Sequence, residues 1–249
     1  MATSVVFLAA ASGAACSATA DGTAIPGQTP RPTVTIPADP VSALGAAQAK
    51  LGTESARFAQ EMGSDLYSYT GVVNAETKNW EITGKEYVVR RVGTELYVQA
   101  SGKTLETMIL PPATTAHLAA GGWVHSRLPH GHELSVVFND SFPWNQAKPA
   151  TRATGMTRTG TRSFSGKLTV KDSRPSSRQR PSIDMRVGAD LDEQGRFARI
   201  SRDFLTKSPD QSIVFTFSDY GVQADIAAPP PSDVVEQDNT SFLTSTLLN

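Results

Sequence analysis

The chain has 249 residues, 39% of them hydrophobic, and a formal net charge of −1. That is apolar material for a sizeable core, and so even a charge balance gives no general electrostatic case for a nucleic-acid partner. The only cysteine, Cys16, excludes an internal disulfide and every multi-cysteine zinc or iron–sulfur site.

At the start of the chain Val5-Val6-Phe7-Leu8 runs into the small residues Ala9 to Ala15 and then Cys16. This is the apolar core and small-residue end of an export signal, too short to span a bilayer. A signal that ends in small residues directly before a cysteine resembles the bacterial lipobox. The resemblance implies acylation of Cys16 and anchoring to the extracytoplasmic face of the cell membrane. The alternative is an ordinary buried cysteine, but Ser, Thr, Ala and Pro follow Cys16 at once and offer no core to bury it. Residues 17–40 hold almost no large apolar side chain, so they cannot offset the entropy of folding and are expected to form an extended tether. The expected organisation is a signal peptide and lipidation site over 1–16, a disordered tether over 17–40, a folded domain over 41–235 and a tail over 236–249.

The folded part begins with a helical pattern. Leu44, Ala47, Leu51, Phe58, Met62 and Leu66 recur at steps that fit one helical face, and Gly63 is its expected end. Residues 67–73, 79–83, 87–92 and 95–100 then read as strands of an antiparallel meander, with turn residues between them; in the last, Leu96 and Val98 alternate with Tyr97 and Gln99. The middle is less regular: a short helix over 114–120, a short strand over 122–125, a helical or extended stretch over 133–138, and a loop or short turn at Phe142-Pro143-Trp144-Asn145. Alternation returns over 161–170, where Phe164, Leu168 and Val170 share a face.

The clearest stretch runs from Ile183 to Pro231. Met185, Val187, Ala189 and Leu191 alternate with Asp184, Arg186, Gly188 and Asp190, and Asp192-Glu193-Gln194-Gly195 supplies a turn. Ala198, Ile200 and Phe204 continue the alternation on a second strand, and Ile213, Phe215 and Phe217 on a third over Gln211 to Ser218, which closes in Asp219-Tyr220-Gly221 and the stop at Pro229-Pro230-Pro231. Three consecutive strands with one apolar face each need a shared cover, and the first helix is the expected one.

Chemistry is sparse. There is no nucleophile elbow, no His-Glu-x-x-His and no dinucleotide fingerprint, and no cofactor is expected. His125 with His130-Gly131-His132 is the one cluster of metal-ligand side chains, but no run of carboxylates or cysteines accompanies it, and an exposed loop is the preferred reading. Arg152, Arg158, Arg162, Lys167, Lys171, Arg174, Arg178 and Arg180 face a single acid, Asp172. Such a block is most often the solvated face of a hairpin; the other reading is an entrance that attracts anionic head groups.

Four stretches carry a further resemblance: Tyr67-Ser68-Tyr69-Thr70-Gly71, Gly122-Trp123-Val124-His125, Phe164-Ser165-Gly166, and Phe217-Ser218-Asp219-Tyr220-Gly221 leading to Ala227-Ala228-Pro229-Pro230. With these the region 41–235 resembles the actinobacterial LppX/LprA/LprF/LprG lipoprotein family, whose domains are similar to LolA and LolB. The resemblance implies an α+β fold in which a strongly curved antiparallel half-barrel wraps around a few helices. It also implies a non-enzymatic role, binding or carrying a lipid or lipoglycan in the cell envelope, with the membrane and envelope proteins as further partners. On that reading the cavity-lining residues are Leu96, Val98, Phe164, Leu168, Met185, Val187, Ile200, Ile213, Phe215 and Phe217. A packed core would use the same residues, so a surface interaction or sensor module with a filled half-barrel stays open as the alternative.

Overall fold

The computed structural model describes residues 34–63, 68–127, 142–170, 182–205 and 212–237, all within one compact unit, Thr33–Asn249. The expected export signal, Cys16, the tether up to residue 33, the stretch 133–138, His130 and His132, the basic loop from Lys171 to Arg180 and the end of the tail lie outside the described residues.

Twelve strands form a single sheet: β1 (Ala56–Met62), β2 (Tyr69–Val73), β3 (Trp80–Gly84), β4 (Tyr87–Val92), β5 (Glu95–Ala100), β6 (Trp123–Arg127), β7 (Thr154–Arg158), β8 (Ser163–Val170), β9 (Ile183–Leu191), β10 (Phe197–Phe204), β11 (Ser212–Ser218) and β12 (Val234–Glu236). Their order is β12-β6-β5-β4-β3-β2-β1-β11-β10-β9-β8-β7, so the sheet stays open. All neighbours are antiparallel except β12 and β6. Among the described residues the helices are few and short: α1 (Pro40–Lys50), α2 (Gly102–Thr107), α3 (Pro112–Ala119) and α4 (Lys148–Arg152), the last preceded by a 3-10 turn, Trp144–Ala147. The architecture is therefore the expected α+β half-barrel, an open antiparallel sheet with few helices.

The sequence reading fails at the helix. α1 ends at Lys50, Gly52 takes φ +74°, and residues 56–62 form a strand that pairs with β2 on one side and β11 on the other. β1 thus joins the two halves of the sheet. The error has a simple origin: Phe58 and Met62 are four apart, a spacing that satisfies both a helical face and a strand's period of two. Ala56 and Phe58 are buried and Arg57 and Glu61 exposed, which is the strand's alternation.

α1 is short but well started. Asp39 caps it, its carboxylate accepting from the Ser42 amide at 2.8 Å and the Ser42 hydroxyl at 2.6 Å, and these bonds hold the Asp39 carboxyl below its usual range. Ala43, Leu44 and Ala47 are its buried face. Contacts with the domain begin before Pro40: Ile36 packs against the core and the Pro37 carbonyl accepts from Arg158.

After β11 the chain turns at Asp219 and Gly221, both with positive φ, and the Gly221 amide donates to the Ser55 carbonyl at 2.7 Å. It then runs extended as a strap. Asn74 Nδ2 donates to the Ala224 carbonyl at 2.7 Å, Asn79 Nδ2 to Ile226 at 3.0 Å and Arg90 Nη1 to Ala227 at 2.9 Å. The strap delivers β12 to the edge of β6, which is how the end of the described chain comes to lie parallel to a strand from its middle.

The aromatic core sits where two halves of the sheet meet. Phe58 stacks on Phe215 at 5.7 Å and Trp144 on Phe217 at 5.3 Å, while Phe142 lies 4.8 Å from Trp80 and 5.8 Å from Phe58. Phe142 is 1% exposed although it belongs to a stretch that the sequence marks only as a loop or turn. Gly71 makes room for this packing, since a Cβ there would stand 2.4 Å from the Phe58 ring. Replacing Phe142 with Ala should cost about 3–5 kcal/mol of stability, read as a lowered denaturation midpoint. An effect below about 1 kcal/mol would show that Phe142 is not part of the core.

Candidate functional site

The concave face of the sheet is continuous across the ladders. One row, followed through the register, runs Val98, Val89, Ile82, Gly71, Phe58 and Phe217. A second runs Gln60, Phe215, Ile200, Ala189 and Phe164. A third runs Met62, Ile213, Arg202, Val187 and Gly166, and a fourth Phe204, Met185 and Leu168. All ten residues named from the sequence fall on this face. Leu96, Val98, Phe164, Met185, Val187, Ile200, Phe215 and Phe217 are buried; Leu168 and Ile213 are half-buried.

Burial is graded along the strands. The first two rows are almost fully buried and belong to one buried cluster with Phe142, Trp144 and the apolar face of α1. In the last two, Val187, Gly166 and Met185 are buried, while Met62, Ile213, Arg202, Phe204 and Leu168 are half-buried. The face is therefore filled at one end and partly uncovered at the other. Three clefts formed by described residues lie elsewhere and include none of the ten. One of about 550 Å³ lies between Asn74 and Ala224, one of about 400 Å³ between Tyr87, Ala100 and Leu118, and one of about 270 Å³ beside Gly52, Lys78 and Trp144.

Polar groups gather where the apolar face opens. Tyr69 donates to Gln60 Oε1 at 3.2 Å, and Arg202 Nη2 donates to Gln146 Oε1 at 2.9 Å. Arg202 Nε is buried without an acceptor, and burial pushes the guanidinium below its ordinary value. Burial likewise pushes the phenols of Tyr69 and Tyr87 upward, Tyr69 far above the usual range. Sequence reading missed this group, because Arg202 alternates with Ser201 and Asp203 in a strand whose inward positions look uniformly apolar.

A second polar cluster ties down the β9–β10 hairpin. Arg196 makes a 2.7 Å ion pair with Asp192 and a 3.1 Å pair with Glu54, and its guanidinium lies 4.1 Å above the Tyr220 ring. Tyr220 donates to the Phe197 carbonyl at 2.7 Å. Here Asp219-Tyr220-Gly221 has a structural explanation: it joins the hairpin, the α1–β1 connection and the start of the strap.

The remaining sequence candidates are dispersed. His125 lies between Glu95 and Glu236, 2.7 Å from each, and its ring stacks on Tyr97 at 4.9 Å, so it fastens β12 to the edge of the sheet. Among the described residues no group of three or more His, Cys, Asp and Glu could hold a metal ion. Arg158 lies over the Phe164 ring and donates to the Thr161 and Pro37 carbonyls, Arg162 pairs with Glu193 at 3.4 Å, and Arg152 and Lys167 are exposed. The described part of the basic block thus forms no single patch. No described helix is long and apolar enough to cross a membrane.

The buried phenols give a pH prediction. Tyr69 and Tyr220 have folded values raised above that of a free tyrosine, so the native state holds protons that the unfolded chain releases. Their contribution to stability is complete below about pH 10, the ordinary tyrosine value, and is lost as the pH rises beyond it. Urea midpoints should fall above that pH, and less steeply in Tyr69→Phe and Tyr220→Phe; an identical slope in both variants would contradict the assignment.

No protein-family model matches the chain, and no curated protein matches it. Among solved structures, an uncharacterized conserved protein from Thermus thermophilus aligns with 78% of this chain and 97% of its own, at 10% identity and a TM-score of 0.37. The chain is also similar in structure to the Mycobacterium tuberculosis lipoprotein LppX, at 15% identity and a TM-score of 0.41, over 75% of this chain and 98% of that one.

Proposed function

We propose that the protein is a cell-envelope lipoprotein, anchored through acylated Cys16, whose half-barrel binds the acyl part of a lipid or lipoglycan and performs no bond-making chemistry. The observation that carries the reading is the graded concave face: its apolar rows continue past the aromatic core to Met62, Ile213, Phe204 and Leu168, which are only half-buried. An alkyl chain laid along those rows would complete their burial at about 0.8 kcal/mol per methylene. The sequence resemblance to the LppX/LprG-type family agrees with this, and so does a start of chain patterned as an export signal ending at a cysteine.

A second reading has its own observation. Phe142 and Trp144 fill the centre of the concave face as ordinary core residues do, which suits an interaction or sensor module without a ligand.

Full-length protein from an actinobacterial host, purified without detergent, separates the two. The first reading predicts stoichiometric lipid in organic extracts analysed by mass spectrometry. It also predicts that Ile213→Lys, a change at a half-buried position, lowers lipid content several-fold while the protein stays folded. A folded but lipid-free protein would favour the second. The same preparation should carry acyl chains on the peptide that begins at Cys16, and Cys16→Ser should abolish them; an unmodified cysteine would overturn the anchoring.

A further inference from the structure

Arg202 is the one cation in an otherwise apolar row, flanked in the register by Ile213 on β11 and Val187 on β9. Among the described residues no counter-charge neutralises it. Among the described residues its sole hydrogen bond goes to the neutral Gln146, no carboxylate pairs with it, and its Nε is buried without an acceptor. The neighbouring Asp203 belongs to the opposite face and accepts from Ser212 at 2.8 Å. The other polar groups nearby, Tyr69 and Gln60, are neutral and bonded to each other.

A half-buried guanidinium whose Nε is sealed from water without an acceptor loses part of its hydration, and a counter-charge would restore it. Arg is also the side chain whose planar fork of donors best matches a carboxylate or phosphate oxyanion. Half-buried apolar residues share its part of the sheet: Ile213 is its neighbour on β11 and Phe204 follows it on β10, with Met62 and Leu168 further along the same two rows and buried Val187 and Met185 among them. An oxyanion and an alkyl chain are therefore complemented side by side.

We infer that Arg202 receives the anionic head of an acyl lipid, a carboxylate or phosphate group, whose chain lies along the half-buried rows beside it. The inference rests on the lipid-binding reading and narrows it to anionic amphiphiles. Gln146, from the 3-10 turn, holds the guanidinium in place from the side of the aromatic core, so the site joins the sheet to its cover.

The test compares two probes of equal chain length on the delipidated full-length chain, palmitate and the neutral hexadecanol, with Arg202→Met and Arg202→Lys alongside. Palmitate should bind the unaltered protein at least about tenfold more tightly than hexadecanol, as expected for a charge-assisted contact. Arg202→Met should bind the two alike and Arg202→Lys should retain part of the preference. Thermal unfolding of Arg202→Met without ligand should come at the same or a higher temperature, since a half-buried charge with no counter-charge among the described residues has been replaced by an apolar chain.

Equal binding of both probes to the unaltered protein would overturn the role of Arg202 and leave lipid binding intact. Failure of both probes to bind would overturn lipid binding itself. Displacement of palmitate by equimolar inorganic phosphate or acetate would show a site for free oxyanions and likewise contradict the proposal. The probe comparison needs no variant, so it decides the matter even if Arg202→Met does not fold.

Discussion

An open sheet of twelve strands with one apolar face is unstable unless something covers that face. Here the cover is an aromatic wedge. Phe142 and Trp144, from the turn that precedes α4, enter between Phe58, Trp80 and Phe217, and α1 closes beside them with Ala43, Leu44 and Ala47. The rings cross edge-on, tilt or stack at 4.8–5.8 Å, distances at which aromatic pairs contribute beyond their buried area. Because β1 carries Phe58 and bridges β2 and β11, the wedge also holds the two halves of the sheet in register.

The wedge covers only part of the face, and that limit shapes the candidate site. Toward Met62, Ile213 and Leu168 the apolar rows continue with less cover, and there the sheet places Arg202, Tyr69 and Gln60. At the opposite end of the strands Arg196 is paired twice and stacked on Tyr220. The contrast between the two arginines is informative. Arg196 is a structural cation with its counter-charges supplied by the chain, whereas Arg202 has none among the described residues and stands beside surface suited to an alkyl chain.

Much of the fold was legible because antiparallel strands write their own period. The limits of β4, β5 and β9 follow directly from alternation, and β8, β10 and β11 differ by a residue or two at their ends. β1 was not legible, since a four-residue spacing of Phe58 and Met62 suits either period. β7 and β12 were missed too, the first with little apolar content and the second only three residues long, held largely by its neighbours. For the site, alternation placed all ten apolar residues on one face, but it could not say which would be sealed by Phe142 and Trp144. Those two come from a stretch whose sequence signals only a turn. Nor did it reveal Arg202, whose significance lies in partners it lacks.

The central claim is that the less covered rows of the concave face, and not the outer surface, hold an acyl chain. The most direct test is photocrosslinking with a fatty acid that carries a diazirine within its chain, followed by peptide mapping of the labelled protein. The account predicts label on Met62, Leu168, Phe204 and Ile213. Label confined to outward-facing positions such as Tyr97 or Arg199, or no saturable labelling at all, would contradict it.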